Sequence, residues 1–176
     1  MIRTPYFALA ALAILAACAT TPESNLGPDG QPLPRAYKIR SSDTAKIQFG
    51  TLDEINALRQ ARGMQPLELN SQLTAAAATH ARDMSVQNRP WNFGSDGSSP
   101  IERVARTGFP GAFRGEAIRE TFENEGTTLE EWLNDPSSRR IILDPEATDM
   151  GFSWYQERTG KIWWTLVTGK RGGGIV

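Results

Sequence analysis

The sequence predicts an α+β domain, and three observations carry that prediction. Helix-start signals followed by apolar residues at three- and four-residue steps recur up to about residue 135. Two aromatic and β-branched runs, Met150 to Gln156 and Ile162 to Thr168, come late in the chain. Only the short polar loop Glu157 to Lys161 separates them, which reads as a hairpin. Helices first and a terminal hairpin later make a layered α+β arrangement, and no internal repeat suggests otherwise.

Before the domain comes a leader. Arg3 supplies a short basic region, Phe7 to Ala17 an apolar run, and Leu15-Ala16-Ala17-Cys18 a small-residue cleavage site ending in cysteine. This pattern reads as a bacterial lipoprotein signal over 1–17, with Cys18 the lipidated residue. The apolar run is too short to cross a hydrocarbon core of about 30 Å. Acyl chains on Cys18, each buried CH₂ contributing about 0.8 kcal/mol, would anchor the chain instead. The expected setting is the periplasmic side of a membrane, at the outer membrane of a Gram-negative cell, because Ala19 is not the aspartate read as inner-membrane retention.

Cys18 is the only cysteine, so the domain has no disulfide available to it. The segment 18–48 is rich in Pro, Gly, Ser, Thr and Asn and reads as a flexible linker. A single domain is expected over 49–170, with 171–176 a flexible tail. Charge is nearly balanced, with 19 Lys plus Arg against 20 Asp plus Glu and a net charge of -1. With no basic run or stripe, nucleic acid is excluded as a partner.

Within the domain, Thr51 and Glu54 form a capping-box pattern before Leu52, Ile55 and Leu58, and Gly63 is a stop. Leu67 to Leu69 is a short extended piece. Asn70 or Ser71 caps a second helix whose Leu73, Ala77, His80, Ala81 and Met84 share one face. Ser99, Pro100 and Glu102 open a third, with Ile101, Val104 and Ala105 inward and Gly108 as stop. Phe113 to Glu120 reads as a strand, because its apolar positions lack helical spacing.

Thr128, with Glu131 returning the bond, caps a fourth helix carrying Leu129, Trp132 and Leu133. Pro136 then redirects the chain, so Asp135 to Arg140 should form a tight polar corner at the rim of a cleft. Trp163 and Trp164 point to opposite faces of a strand, which leaves at least one partly exposed.

The order Gly115-Glu116, a helix with Trp132 and then Pro136, Arg139, Ile142-Leu143, Pro145 and Met150-Gly151 resembles a known core pattern. It is similar to the "GEN … W-(M/L)-x-S-P-G-H-R … I-L … P … I-G" core of the cysteine-rich secretory, antigen 5 and pathogenesis-related-1 (CAP) superfamily in its bacterial form. The resemblance covers roughly Leu52 to Gly169. It implies a three-layer α-β-α sandwich with a central antiparallel sheet.

The resemblance also implies a cleft, which in some members binds a divalent metal through two histidines and one or two acidic residues. This chain departs from the pattern at both histidines. Asn92 stands in the segment Trp91 to Gly97 that looks like the bacterial "S-H-x-G-x-D-G" loop, and Ser138 stands where the motif reads Pro-Gly-His-Arg. Only Glu116 is kept. A neutral amide or un-ionised hydroxyl is a poor zinc ligand, so neither a metal nor any other cofactor is expected.

The cleft set implied by resemblance is Asn92, Glu116, Ser138, Arg139 and His80. Glu116 reads either as a cleft carboxylate or as a buried glutamate tying loops together. His80, on an apolar helix face, fits a packed histidine bonded to a neighbour better than a catalytic one. Asp96 is a turn-former in Gly-Ser-Asp-Gly, and Arg139 and Arg140 are expected to pair with Asp135 or Asp144.

The function expected on these grounds is a non-catalytic binding module. It would be held at a membrane through Cys18, with an apolar lipid or a cell-wall-derived ligand in the cleft. The alternative is an envelope hydrolase of peptide or glycan bonds in which Glu116 works with Asn92, Ser138 or His80. A serine triad has little support, because Ser138 precedes two arginines in a turn and no nucleophile-elbow motif is present.

Overall fold

The computed structural model describes residues 37–172; the leader, Cys18 and the first part of the linker fall outside the described residues, as do 173–176. A single 3₁₀ turn (Ser41–Asp43) leads into α1 (Thr44–Gln60), followed by β1 (Glu68–Leu69), α2 (Ser71–Gln87) and α3 (Pro100–Arg106). Then come β2 (Gly111–Thr121), α4 (Glu125–Asn134), α5 (Pro136–Ile142), β3 (Asp149–Gln156) and β4 (Ile162–Arg171).

The four strands lie in the order β1-β3-β4-β2. The two long pairings, β3 with β4 and β4 with β2, are antiparallel. Alternation along β4 builds the layers. Ile162, Trp164 and Leu166 face a core shared with Ile47 and Ile55 of α1, Leu129 and Trp132 of α4 and Ile142 of α5. On the other face, Val167 packs with Leu73, Ala77 and Val104, and Trp163 with Ala81 and Met84, all from α2 and α3. The result is the α-β-α sandwich that the resemblance implies.

Gly151 sets how close α2 comes to the sheet. A Cβ there would lie 2.1 Å from the backbone carbon of Leu73 and 2.2 Å from the nitrogen of Thr74, so the first turn of α2 rests directly on β3. Asn70 starts that turn by accepting hydrogen bonds from the N–H groups of Gln72 and Leu73. Leu73, Ala77, His80, Ala81 and Met84 are all buried, as the helical spacing predicts.

Several expectations are corrected. The sheet is mixed, because β1 pairs parallel to β3 through Glu68–Asp149 and Leu69–Met150 before the chain enters α2. The linker ends before residue 48: α1 starts at Thr44, and Ile47 is already in the core. Thr51 is therefore a buried mid-helix residue and not a cap. β4 continues through Arg171, whose N–H bonds the Thr148 hydroxyl, so the tail starts later than 171.

Asn124 caps α4 in place of Thr128, whose hydroxyl instead donates to the Asn124 carbonyl from inside the helix. The corner at Pro136 is a helix, because proline suits a first helical position and Asp135 caps it by accepting from the Ser138 N–H. In α3, Ile101 is 62 % exposed and Ala105 is also outward, while Arg103 turns inward beside Val104. Both Trp163 and Trp164 are fully buried, since helices cover both faces of β4.

Candidate functional site

Three stretches converge on the α2–α3 side of the sheet. α2 ends at Asn88 with φ 48°, a left-handed cap that turns the chain into the loop carrying Trp91 and Asn92. That loop closes with Gly97 at φ 78° and the Ser98 N–H on Asp96 Oδ1, which makes Asp96 the turn-former expected of it. Ser99 and Glu102 then form the predicted capping box, and the register of α3 aims Arg103 inward. From the sheet, Glu116 of β2, opposite Val167, projects to the same side.

The carboxylate is claimed from several directions. Arg103 Nη2 lies 2.8 Å from Glu116 Oε1 and 2.9 Å from Oε2, and the Asn92 amide donates to Oε1 at 3.0 Å. The guanidinium also donates to the carbonyls of Ser98 and Asn92, each at 2.9 Å. The side chains of Arg103 and Glu116 are 4% and 2% exposed, so this ion pair is almost dry. A buried carboxylate needs such a partner, because an uncompensated charge in the interior costs several kcal/mol.

His80 completes the cluster. Its Nε2 is 2.9 Å from the Trp91 carbonyl and 3.6 Å from Glu116 Oε1. A carbonyl oxygen only accepts, so Nε2 carries the hydrogen and the buried Nδ1 is left without a partner among the described residues. Burial holds the His80 pKa below the ordinary imidazole value, against the pull of Glu116 and with the help of Arg103. The ring is neutral near pH 7 and bonded to a neighbour, the packed role that its helix face suggests.

The structure thus brings His80, Asn92 and Glu116 together and does not bring Ser138 or Arg139 to them. Both sit on α5, which packs on the opposite face of β2: a Cβ on Gly115 would meet the Ile141 side chain at 2.7 Å. Ser138 receives its place from the Asp135 cap, and Arg139 donates to the Leu133 carbonyl. Asp144 is paired with Arg114 and not with Arg139 or Arg140.

Arg103 is the residue that sequence reasoning missed. The available signal was its position, four residues after the Ser99 cap and next to inward-facing Val104, together with the need of a buried Glu116 for a cation.

The metal site that the resemblance implies in some members does not fit here. Arg103 already occupies both Glu116 oxygens, Asn92 offers an N–H donor, and the His80 nitrogen nearest the carboxylate bears hydrogen. Among the described residues no three His, Cys, Asp or Glu side chains gather to hold an ion.

Beside the cluster runs a groove of about 550 Å³ between α2, α3 and the 95–98 loop. Arg82, Arg103 and Arg106, with Asp83, Asp96 and Ser98, supply its polar walls. Glu116 and His80 do not line it; Arg103 separates them from it.

A match to the cysteine-rich secretory protein family model extends over residues 52–168. The chain belongs to the CAP family. The CAP domain is 27% identical over 129 residues to the uncharacterised protein YkwD of Bacillus subtilis (strain 168), across 73% of this chain and 49% of that protein. The chain therefore spans about half the length of that relative. Its fold matches an outer surface protein of Borrelia burgdorferi at a TM-score of 0.64 and 19% identity, covering 78% of this chain and 99% of that one. An extracellular SCP-domain protein of Bacillus anthracis gives the same TM-score of 0.64 at 19% identity, covering 77% and 45%.

The neutral His80 makes stability depend on pH in a defined direction. Its folded pKa lies below the unfolded value of about 6.5, so between the two the unfolded chain binds more protons and stability falls as pH is lowered. Carboxylates held low, such as Asp135, Asp144 and Glu157, lose their contribution only below about pH 5. His80 is the only histidine, so the interval from pH 6.5 to about 5 isolates it. The urea midpoint of the wild type is expected to drop across that interval and that of His80→Gln to stay level. A level wild-type profile would contradict the buried neutral imidazole.

Proposed function

We propose that this CAP chain is a non-catalytic binding module of the cell envelope, anchored to a membrane through lipid on Cys18. The observation that carries the reading is the state of Glu116. Its side chain is 2% exposed and Arg103 bonds both oxygens, so it is closed off from a substrate proton or a bulk water. A hydrolase built on Glu116 would have to break a buried ion pair in every turnover. Ser138 lies on the other face of β2, and His80 is fully buried, with its Nε2–H on the Trp91 carbonyl and its Nδ1 equally shut off from solvent, so neither supplies a substitute.

The groove beside the pair is mixed in character. Three arginines and two aspartates line it with the hydroxyls of Ser95, Ser98, Thr79 and Thr107, and Ala76 and Val86 add apolar surface. Walls with both charges and several hydroxyls match a short cell-wall peptide or glycan fragment, which carries amines, carboxylates and hydroxyls. Among the described residues no helix is long and apolar enough to cross a membrane. The Borrelia and B. anthracis relatives are named as outer-surface and extracellular proteins, in keeping with an envelope location.

Titration calorimetry with purified muropeptides, paired with mass spectrometry of the same mixtures, tests the binding claim. Binding without cleavage is expected, weakened at least about tenfold in the double variant Arg82→Ala/Arg106→Ala, which removes charged contacts from the groove. Cleavage that disappears in Glu116→Gln would instead make the chain a hydrolase. For the anchor, Cys18→Ser is expected to move the protein from the membrane to the soluble fraction, and unchanged membrane association would sink the lipoprotein assignment.

A further inference from the structure

On the opposite side of the sheet from the Glu116 cluster, a second hollow of about 500 Å³ opens between the end of α1 and α5. It is lined by Arg62, Arg139, Arg140, Leu143, Asp144 and Pro145. The chain as a whole is almost neutral, with a net charge of -1, so three arginines around one hollow are a local concentration and not a general excess.

All three are solvent-exposed. Arg62 donates one nitrogen to the Leu58 carbonyl and Arg139 one to the Leu133 carbonyl, bonds that fix the stems and leave the rest of each guanidinium fork without an acceptor. Among the described residues none of the three lies within ion-pair distance of a carboxylate. The one acid on the rim, Asp144, is taken up by Arg114 at 2.7 Å and by the Glu146 N–H at 2.9 Å. Burial pushes the Asp144 pKa up, but the Arg114 hydrogen bond, the Glu146 N–H and the charges of Arg114 and Arg59 together hold it below the ordinary carboxylate value.

A fourth cation lies underneath. Arg59 is fully buried with no carboxylate partner, and it donates only to the carbonyls of Gln65, Ile142, Asp144 and Ala147. It ties the end of α1 to the 142–147 loop and adds a positive charge behind the wall of the hollow. The bland explanation of these arginines is that they answer the negative ends of α1 and α5. Each helix end carries only about half an elementary charge, so two ends offset roughly one of the four cations. A net positive site remains.

We propose that this hollow is a binding site for a phosphate ester. Arg62, Arg139 and Arg140 would close on the phosphate oxygens, and Leu143 and Pro145 would meet the apolar part of the ester beside it. A planar fork with several N–H donors matches tetrahedral oxygens better than a lysine point charge does. Phosphate could arrive as a free ester or as a lipid headgroup; the chemistry at the arginines is the same. The site is separate from the α2–α3 groove and does not depend on what that groove binds.

The full chain carrying Cys18→Ser, which has no acyl anchor to insert into vesicles, tests this with two probes. In the first, the thermal midpoint is followed in inorganic phosphate and in chloride of equal ionic strength. In the second, sedimentation is measured with phosphatidylglycerol/phosphatidylcholine vesicles against vesicles of phosphatidylcholine alone. Phosphate is expected to raise the midpoint of this parent chain, with an apparent Kd at least about tenfold weaker when Arg139→Ala/Arg140→Ala is added to it.

Arg158→Ala, an exposed arginine on the β3–β4 loop, is the charge control and should behave as the parent. A phosphatidylglycerol-dependent sedimentation lost in the double variant would identify the headgroup as the source. Phosphate stabilisation without it would identify a soluble ester. No response to either probe, or an equal loss in Arg158→Ala and the double variant, would overturn the site.

Discussion

A guanidinium and a carboxylate buried together hold three separate stretches of this chain in one arrangement. Arg103 comes from α3, Glu116 from β2, and the carbonyls of Asn92 and Ser98 from the loop between α2 and α3. Removing either partner would leave the other charge buried and unpaired, which costs about 3–5 kcal/mol. Together they oblige α3 to present Arg103 inward, and so turn Ile101 and Ala105 outward. The loop is shaped to the same end. Its left-handed Asn88, its Asp96 turn and its Ser99 cap deliver two backbone carbonyls to one arginine.

The same constraint decides the chemistry. The fold places Glu116 of β2 against the end of α2 and its following loop, and the groups around it determine what it can do. Here the surroundings are a permanent internal cation, an amide donor and a neutral imidazole whose only hydrogen is committed to Trp91. These groups hold the carboxylate in place. Its side chain is 2% exposed and bonded by Arg103 and Asn92, so it is closed to a ligand. The open groove whose wall Arg103 forms lies outside this pair.

Much of the fold was legible because its signals are local. The Asn70 cap, the Ser99–Glu102 box and the aromatic and β-branched runs of β3 and β4 each act within a few residues and read directly as α2, α3 and the hairpin. The errors fall where a local pattern competes with a longer one. Thr51 and Thr128 look like caps, but α1 and α4 start upstream at Thr44 and Glu125, and both threonines are buried mid-helix. Pro136 looks like a stop and instead begins α5, because Asp135 caps it. The site was half legible. Motif order pointed to Glu116 and Asn92, and periodicity to His80. It could not show that Ser138 lies across β2, nor that Arg103 is the partner of Glu116, since both follow from tertiary packing.

The central claim is that the Arg103–Glu116 pair is a buried structural element and not a working site, and a double-mutant cycle on stability tests it most directly. Removing one partner from a dry ion pair costs about 3–5 kcal/mol, while replacing both by apolar residues of similar size is often close to neutral. Arg103→Met and Glu116→Met, measured singly and together by urea unfolding, should therefore give two large losses and a double variant far more stable than their sum. Small, additive single losses of about 0–1 kcal/mol, as for an exposed pair, would contradict the account.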